Sequence, residues 1–167
     1  MLQCVKVLKD YEIVLVHPEG LDHSYITKKF ESIAVESFPA HYFKNIEGYN
    51  ELLLSASFYE RFIDTEFVLI YQLDAFVFSD ELKEWCQKGY DYIGAPWIAT
   101  PQNSIWLRVF NKIARNFRSK KKNDREQLFY KVGNGGFSLR RTATHYSIAK
   151  EKAMFISSIL NAETKEI

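Results

Sequence analysis

Residues 67–78 read FVLIYQLDAFVF, an apolar run interrupted by Gln72 and Asp74. Phe67 to Tyr71 is a continuous apolar segment of the kind found in parallel sheets covered on both faces. The same run carries a carboxylate, and an ionised carboxylate taken out of water is costly without a partner or a cation. Asp74 is therefore expected just past the end of a buried strand, at the mouth of a cleft. Its missing partner would be a metal ion carried by a ligand. Phe76, Val77 and Phe78 extend the strand or form a second short one after a break.

Around this run the apolar spacing switches between strand and helix. Leu2, Val5 and Leu8 are spaced for a short helix, and Ile13 to Val16 reads as a buried strand stopped by Pro18 and Gly20. Asp22 is placed to cap a helix running to about Phe30, and Ile33 to Val35 is a second short strand. From Gly48 the residues Tyr49, Leu52, Leu53, Ala56, Tyr59 and Ile63 form one helical stripe that packs on a sheet. SDELKEWCQKG (79–89) is a compact helix with Ser79 or Asp80 as N-cap and Gly89 at its end. Tyr92 to Ala95 is a strand closed by Pro96. Trp106, Val109, Phe110, Ile113 and Phe117 keep helical spacing, and residues 118–125 are basic and read as an exposed loop. Val132 to Leu139 is a glycine-broken strand, and Tyr146, Ala149, Ala153, Ile156 and Leu160 face inward from a last helix. Strands alternating with helices predict an α/β sandwich with a mainly parallel sheet. Such sheets bind ligands beyond the carboxyl ends of their strands, where Asp74 lies.

A chain of 167 residues predicts one domain with a single core. The net charge of +1 gives no global attraction to nucleic acid or membrane. No apolar run reaches the ~18 residues of a transmembrane helix. Cys4 and Cys86 form neither a disulfide framework nor a metal pair and read as small buried apolar residues. A reducing, cytoplasmic setting is the expectation.

Three stretches carry candidate chemistry: YQLDAFVF (71–78), YDYIGAPW (90–97) and VGNGGFSLR (132–140). In this order they resemble a family of bacterial glycosyltransferase-like domains related to the GT-A-type nucleotide-sugar transferases. The resemblance extends to LQCVKVLKDYEIVLVHPEGLD (2–22) and GYNELLLSASFYERF (48–62), so it covers most of the chain. It implies a Rossmann-like, three-layer α/β/α sandwich. It also implies binding of a nucleoside-diphosphate sugar with Mn²⁺ or Mg²⁺, and transfer of the sugar to a carbohydrate or lipid-linked acceptor in surface polysaccharide or glycoconjugate synthesis. An Asp-x-Asp motif ends a central strand in GT-A enzymes; here Gln72-Leu73-Asp74 would stand in its place, with Asp74 as metal ligand and Gln72 reaching ribose or sugar hydroxyls. One carboxylate is enough for a hard ion when phosphates supply the other oxygens. On residue pattern alone, a strand-end turn or N-cap acid is the competing role for Asp74.

The resemblance puts Asn134, Gly135 and Gly136 beside the donor or acceptor sugar; a bulge or tight turn is their alternative role. Gly94, Ala95, Pro96 and Trp97 form a loop leaving a strand, with the indole as a platform for a sugar ring or as a plain core aromatic. Tyr49 and Asn50 open a helix, where a nucleotide can meet unbonded backbone N–H groups, or simply start and pack that helix. No catalytic base is assigned, and Asp91 reads as a strand-entry turn residue. The four histidines show no metal spacing. The basic run 115–125 carries a single aromatic, Phe117, and not the interleaved series of a nucleic-acid surface. Contact with the inner face of the membrane is the speculative alternative for it.

Family members begin with an apolar strand before the first helix and carry an acidic Glu-Asp pair beyond NGGFSLR. Neither is visible here, which implies a partial domain over residues 1–167, with a sheet gap that favours homo-oligomers. Two further readings remain: an inactive domain that binds a sugar or a partner protein, and metal-dependent hydrolysis of a sugar nucleotide.

Overall fold

The computed structural model describes residues 2–96 and 131–163. In chain order the elements are α1 (Leu2–Val7), β1 (Ile13–Pro18), α2 (Ser24–Lys29), β2 (Ile33–Phe38) and a 3₁₀ turn (Ala40–Phe43). Then come α3 (Ile46–Leu54), α4 (Ala56–Glu60), β3 (Phe67–Tyr71), α5 (Leu82–Cys86) and β4 (Tyr92–Pro96). From residue 131 onward follow β5 (Val132–Arg141), α6 (Thr142–Glu151) and α7 (Ala153–Glu163).

The strands form two small sheets and not one mainly parallel sheet. β1 and β2 pair in parallel, Ile13 opposite Ile33 through Pro18 opposite Phe38. The second sheet has the order β3-β5-β4, and both of its pairings are antiparallel. This overturns the expected Rossmann-like three-layer sandwich with a mainly parallel sheet. The physical reason lies in β3 itself. Val68 and Ile70 pack on a core of Phe38, Leu52, Leu53, Phe58 and Tyr59. Leu69 and Tyr71 pack on a second core of Cys4, Leu8 and Val77. Cover on both faces makes the strand continuously apolar, but cover says nothing about the direction of the neighbour. β5 enters between β3 and β4 running the opposite way.

Three local expectations also change. The stripe from Tyr49 to Ile63 is two helices, because Ser55 adopts an extended conformation between them. Its hydroxyl donates to the Leu52 carbonyl at 2.7 Å and accepts the Phe58 N–H at 3.2 Å, closing one helix and capping the next. The last helix divides at Lys152 into α6 and α7, and Ala153 is exposed. Phe76, Val77 and Phe78 form no strand; Val77 is buried and the two phenylalanines are exposed. The expected helix through residues 106–117 and the basic loop lie outside the described residues. Among the described residues no helix is long and apolar enough to cross a membrane.

Candidate functional site

Strand alternation gives β5 two unlike faces. Phe137 belongs to the Cys4–Leu8–Val77 side. Ser138 and Arg140 are both buried, and Arg140 bonds to groups of α3 and α4. On this side α3, α4, α6 and α7 close with β4 and β5 around a cavity of about 300 Å³, at the small end of the range for ligand pockets. Its polar lining is Tyr49, Asn50, Tyr59, Tyr92, Arg140 and His145.

Arg140 is only 6% exposed. Its Nε donates to Ser138 Oγ at 3.0 Å, Nη1 donates to the Leu53 carbonyl at 3.2 Å and to the Tyr59 hydroxyl at 2.6 Å, and Nη2 reaches the Gly135 carbonyl at 3.5 Å. The guanidinium lies 5.6 Å from the centre of the Tyr92 ring. Every one of these acceptors is neutral. Buried charges are normally paired, yet no carboxylate among the described residues pairs with Arg140. A guanidinium has five N–H donors, and four of them meet partners among the described residues.

The tyrosines respond to this charge. Burial pushes the Tyr59 hydroxyl above the ordinary tyrosine range, and the Arg140 charge opposes the shift. Tyr59 also donates to the Leu53 carbonyl at 2.8 Å, so its one proton is used. Tyr49 is raised by burial as well, with Arg140 and the nearby Gln72 amide opposing. The buried Tyr49 hydroxyl faces the Gln72 side chain in a wall of the cavity, and no described group meets it at close hydrogen-bonding geometry. His145 sits against Tyr59 and Tyr92, with ring centroids 5.3 and 6.0 Å away, and its Nδ1 lies 2.9 Å from the Arg141 carbonyl. Burial holds the imidazole below its ordinary range, and Arg140 acts in the same direction.

Several residues singled out in the sequence meet here. Tyr49 and Asn50 line the cavity through their side chains. They do not open the helix: Asn45 caps α3 by accepting the Gly48 N–H at 2.9 Å, and the Tyr49 N–H is already bonded to the Asn45 carbonyl. Gly135 lines the cavity and Gly136 lies beneath Gln72. A Cβ on Gly136 would overlap the Gln72 Oε1, so the missing side chain is what lets the Gln72 amide lie over β5. The Gln72 N–H donates to the Gly136 carbonyl at 2.8 Å. Of the two roles open to the glycine run, the bulge is the one observed: pairing jumps from Gly94 opposite Ser138 to Ala95 opposite Asn134. Gly94 leaves room for the Tyr92 side chain, whose hydroxyl would lie 2.7 Å from a Cβ at that position. Ala95 and Pro96 pair along β5 and do not line the cavity. Asn134 is placed by its backbone alone, opposite Ala95. Trp97 lies outside the described residues.

Asp74 sits in the turn just past β3, as its sequence position suggests, but it is exposed and lines neither this cavity nor a second one near Cys86. Being in water, it carries no burial cost that a cation must offset. Among the described residues no group of three His, Cys, Asp or Glu side chains could hold a metal ion. One exposed carboxylate suits an ion held mainly by phosphate oxygens and water, and does not suit a resident ion. Asp91 has a structural role: it binds Arg141 Nε at 3.1 Å and accepts from Thr144 Oγ1 at 2.9 Å.

Arg140, Tyr59, Tyr92 and His145 were not singled out by the sequence reading as site residues. Arg140 ends the VGNGGFSLR stretch, and its spacing from Gly136 and Ser138 puts all three on one strand face. A cation on that face was the available signal.

Residues 32–166 match the model of a family described as protein of unknown function (DUF5672). No curated protein and no solved structure matches the chain.

Proposed function

The chain belongs to the DUF5672 family, and we propose that it binds a nucleoside-diphosphate sugar at the Arg140 cavity and transfers the sugar to a hydroxyl of a carbohydrate or lipid-linked acceptor. One observation carries this reading: a buried guanidinium bonded to neutral acceptors with no carboxylate partner among the described residues. An anion entering the cavity gains a charge-assisted bond in a low-dielectric site. The planar fork of arginine matches the oxygens of phosphate or diphosphate. Tyr49, Tyr59 and Tyr92 add ring faces, and Asn50 adds an amide that both donates and accepts, which suits a sugar or a base. Three motifs far apart in sequence supply these groups: Tyr49, Asn50 and Tyr59 from 48–62, Tyr92 from 90–97, and Gly135 and Arg140 from 132–140; Gln72 of 71–78 lies against Gly136, outside the lining.

Mn²⁺ or Mg²⁺ arriving with the diphosphate would be held by Asp74 and phosphate oxygens, and would stabilise charge on the departing diphosphate. Gln72, two residues before Asp74, would orient a sugar or ribose hydroxyl. The proposed setting is the cytoplasm, at the inner face of the membrane for a lipid-linked acceptor.

Thermal unfolding with UDP, GDP, ADP and CDP, with and without Mn²⁺, tests the reading. Binding to the native fold at a hundredfold excess over Kd stabilises by about 2.7 kcal/mol. Arg140→Met is expected to lose the shift under all conditions, and Asp74→Asn to lose only the part that depends on Mn²⁺. No shift with any of the four nucleotides, or a full shift in a folded Arg140→Met, overturns it.

A further inference from the structure

We propose that His145 is the proton acceptor of the transfer, the side chain that takes the proton of the attacking hydroxyl. This inference rests on the sugar-nucleotide reading above. His145 lines the same cavity as Arg140. Its Nδ1 lies 2.9 Å from the Arg141 carbonyl oxygen. A carbonyl only accepts, so Nδ1 carries the ring proton and Nε2 keeps its lone pair. The groups around the ring leave it this task. Arg140 and Arg141 approach from β5, Tyr59 from α4, and Tyr92 and Asp91 from β4 and the residue before it. Asp91 is held by Arg141 and Thr144 and does not line the cavity. Burial raises the Tyr49 and Tyr59 hydroxyls, which stay protonated. Among the described lining residues there is no carboxylate, and His145 is the one side chain with a basic lone pair at neutral pH. Burial favours that neutral form and the Arg140 charge acts the same way, with the Arg141 carbonyl and Asp91 opposing.

The step balances. The hydroxyl oxygen of the acceptor forms a bond to the anomeric carbon of the sugar. The bond from that carbon to the diphosphate oxygen breaks, and its electron pair leaves on the nucleoside diphosphate. The hydroxyl proton passes to His145 Nε2 and from there to solvent. A single displacement of this kind inverts the anomeric carbon, and it needs only a sugar nucleotide and a hydroxyl, which water can supply in the absence of an acceptor.

The test uses the full chain and UDP-, GDP-, ADP- and CDP-linked hexoses, with release of nucleoside diphosphate to water or to added monosaccharides as the rate. His145→Asn keeps an N–H near the position of Nδ1 but has no basic nitrogen in place of Nε2. The expected result is binding within twofold of the unaltered chain and a release rate lower by about a hundredfold or more, the usual scale of general-base catalysis. Equal rates in the two proteins, binding that falls in parallel with rate, or binding by the unaltered chain with no release at all each overturn the assignment. If His145→Asn does not fold, the ¹⁵N shifts of the native imidazole decide: an unprotonated Nε2 at neutral pH supports it, and a protonated one overturns it. A folded Arg140→Met that still binds these nucleotides points elsewhere, to failure of the binding reading itself.

Discussion

Arg140 and Arg141 are neighbours on one strand and live in opposite electrostatic surroundings. Arg141 is partly exposed and binds two carboxylates, Glu66 at 2.5 Å and Asp91 at 3.1 Å, with its guanidinium 4.4 Å from the centre of the Phe67 ring. Arg140 is buried and has none among the described residues. Stability alone would favour the reverse, since water screens and solvates an exposed cation cheaply while a buried one needs an anion. The contrast teaches that burial alone does not bring a carboxylate to Arg140 among the described residues, which is the ground for proposing that an anion enters from outside. Arg141 clamps β4 and the chain before β3 to the end of β5; Arg140 offers a standing positive charge to the cavity.

The largest expected effect comes from giving Arg140 what Arg141 already has. Asn50→Asp is isosteric and puts a carboxylate into the cavity wall. It is expected to weaken nucleoside-diphosphate binding by about 2 kcal/mol, roughly thirtyfold, through repulsion of the ligand and partial neutralisation of the guanidinium. The unliganded protein should be no less stable. Titration calorimetry checks the affinity, and an unchanged Kd would mean that the cavity does not receive the anion.

Next in size is Arg141→Met. Two exposed ion pairs at about 0.2–1 kcal/mol each and one cation–π contact at about 0.5–1 kcal/mol give an expected loss of about 1–3 kcal/mol on chemical denaturation, with the lower half expected because the pairs are exposed. High salt should shrink the difference between variant and parent, because exposed pairs are screened. Nucleotide binding should be untouched. A variant that unfolds normally but no longer binds would erase the distinction between the two arginines.

The strand that carries both was legible in part. Val132 to Leu139 shows as a glycine-broken strand, but its direction and its place between β3 and β4 depend on long-range pairing that no local pattern records. The two-faced cover of β3 was legible from its unbroken apolar run, and the same property concealed that its partner is antiparallel. Tyr49, Asn50 and Gly135 line one cavity, and Gln72 lies against Gly136 without lining it. Tyr49 and Asn50 are brought there by side chains on the second turn of α3, where an N-terminal position had been expected. Ser55 broke the long stripe because a serine hydroxyl can close one helix and cap the next, a competition that apolar spacing does not register. Arg140 went unnoticed because alternation separates the two faces of a strand without saying which one α3 and α4 will cover.

The smallest effect is also the one that sees both arginines at once. The His145 imidazole is pushed down first by burial and then by Arg140, and pulled up by the Arg141 carbonyl and by Asp91, the partner of Arg141. Its folded pKa therefore lies below the ordinary 6.5, and the unfolded chain takes the proton first as the pH falls. The stabilising contribution is complete above about pH 6.5 and is lost as the pH drops through the folded pKa. Denaturation midpoints across that window should fall with pH in the native chain, and less steeply in His145→Asn. Arg140→Met should move the imidazole pKa upward and narrow the window without closing it, since burial remains the larger cause. An NMR titration of the ring reads this directly; a pKa that stays where it was in Arg140→Met would mean the guanidinium charge does not reach the imidazole across the cavity they share.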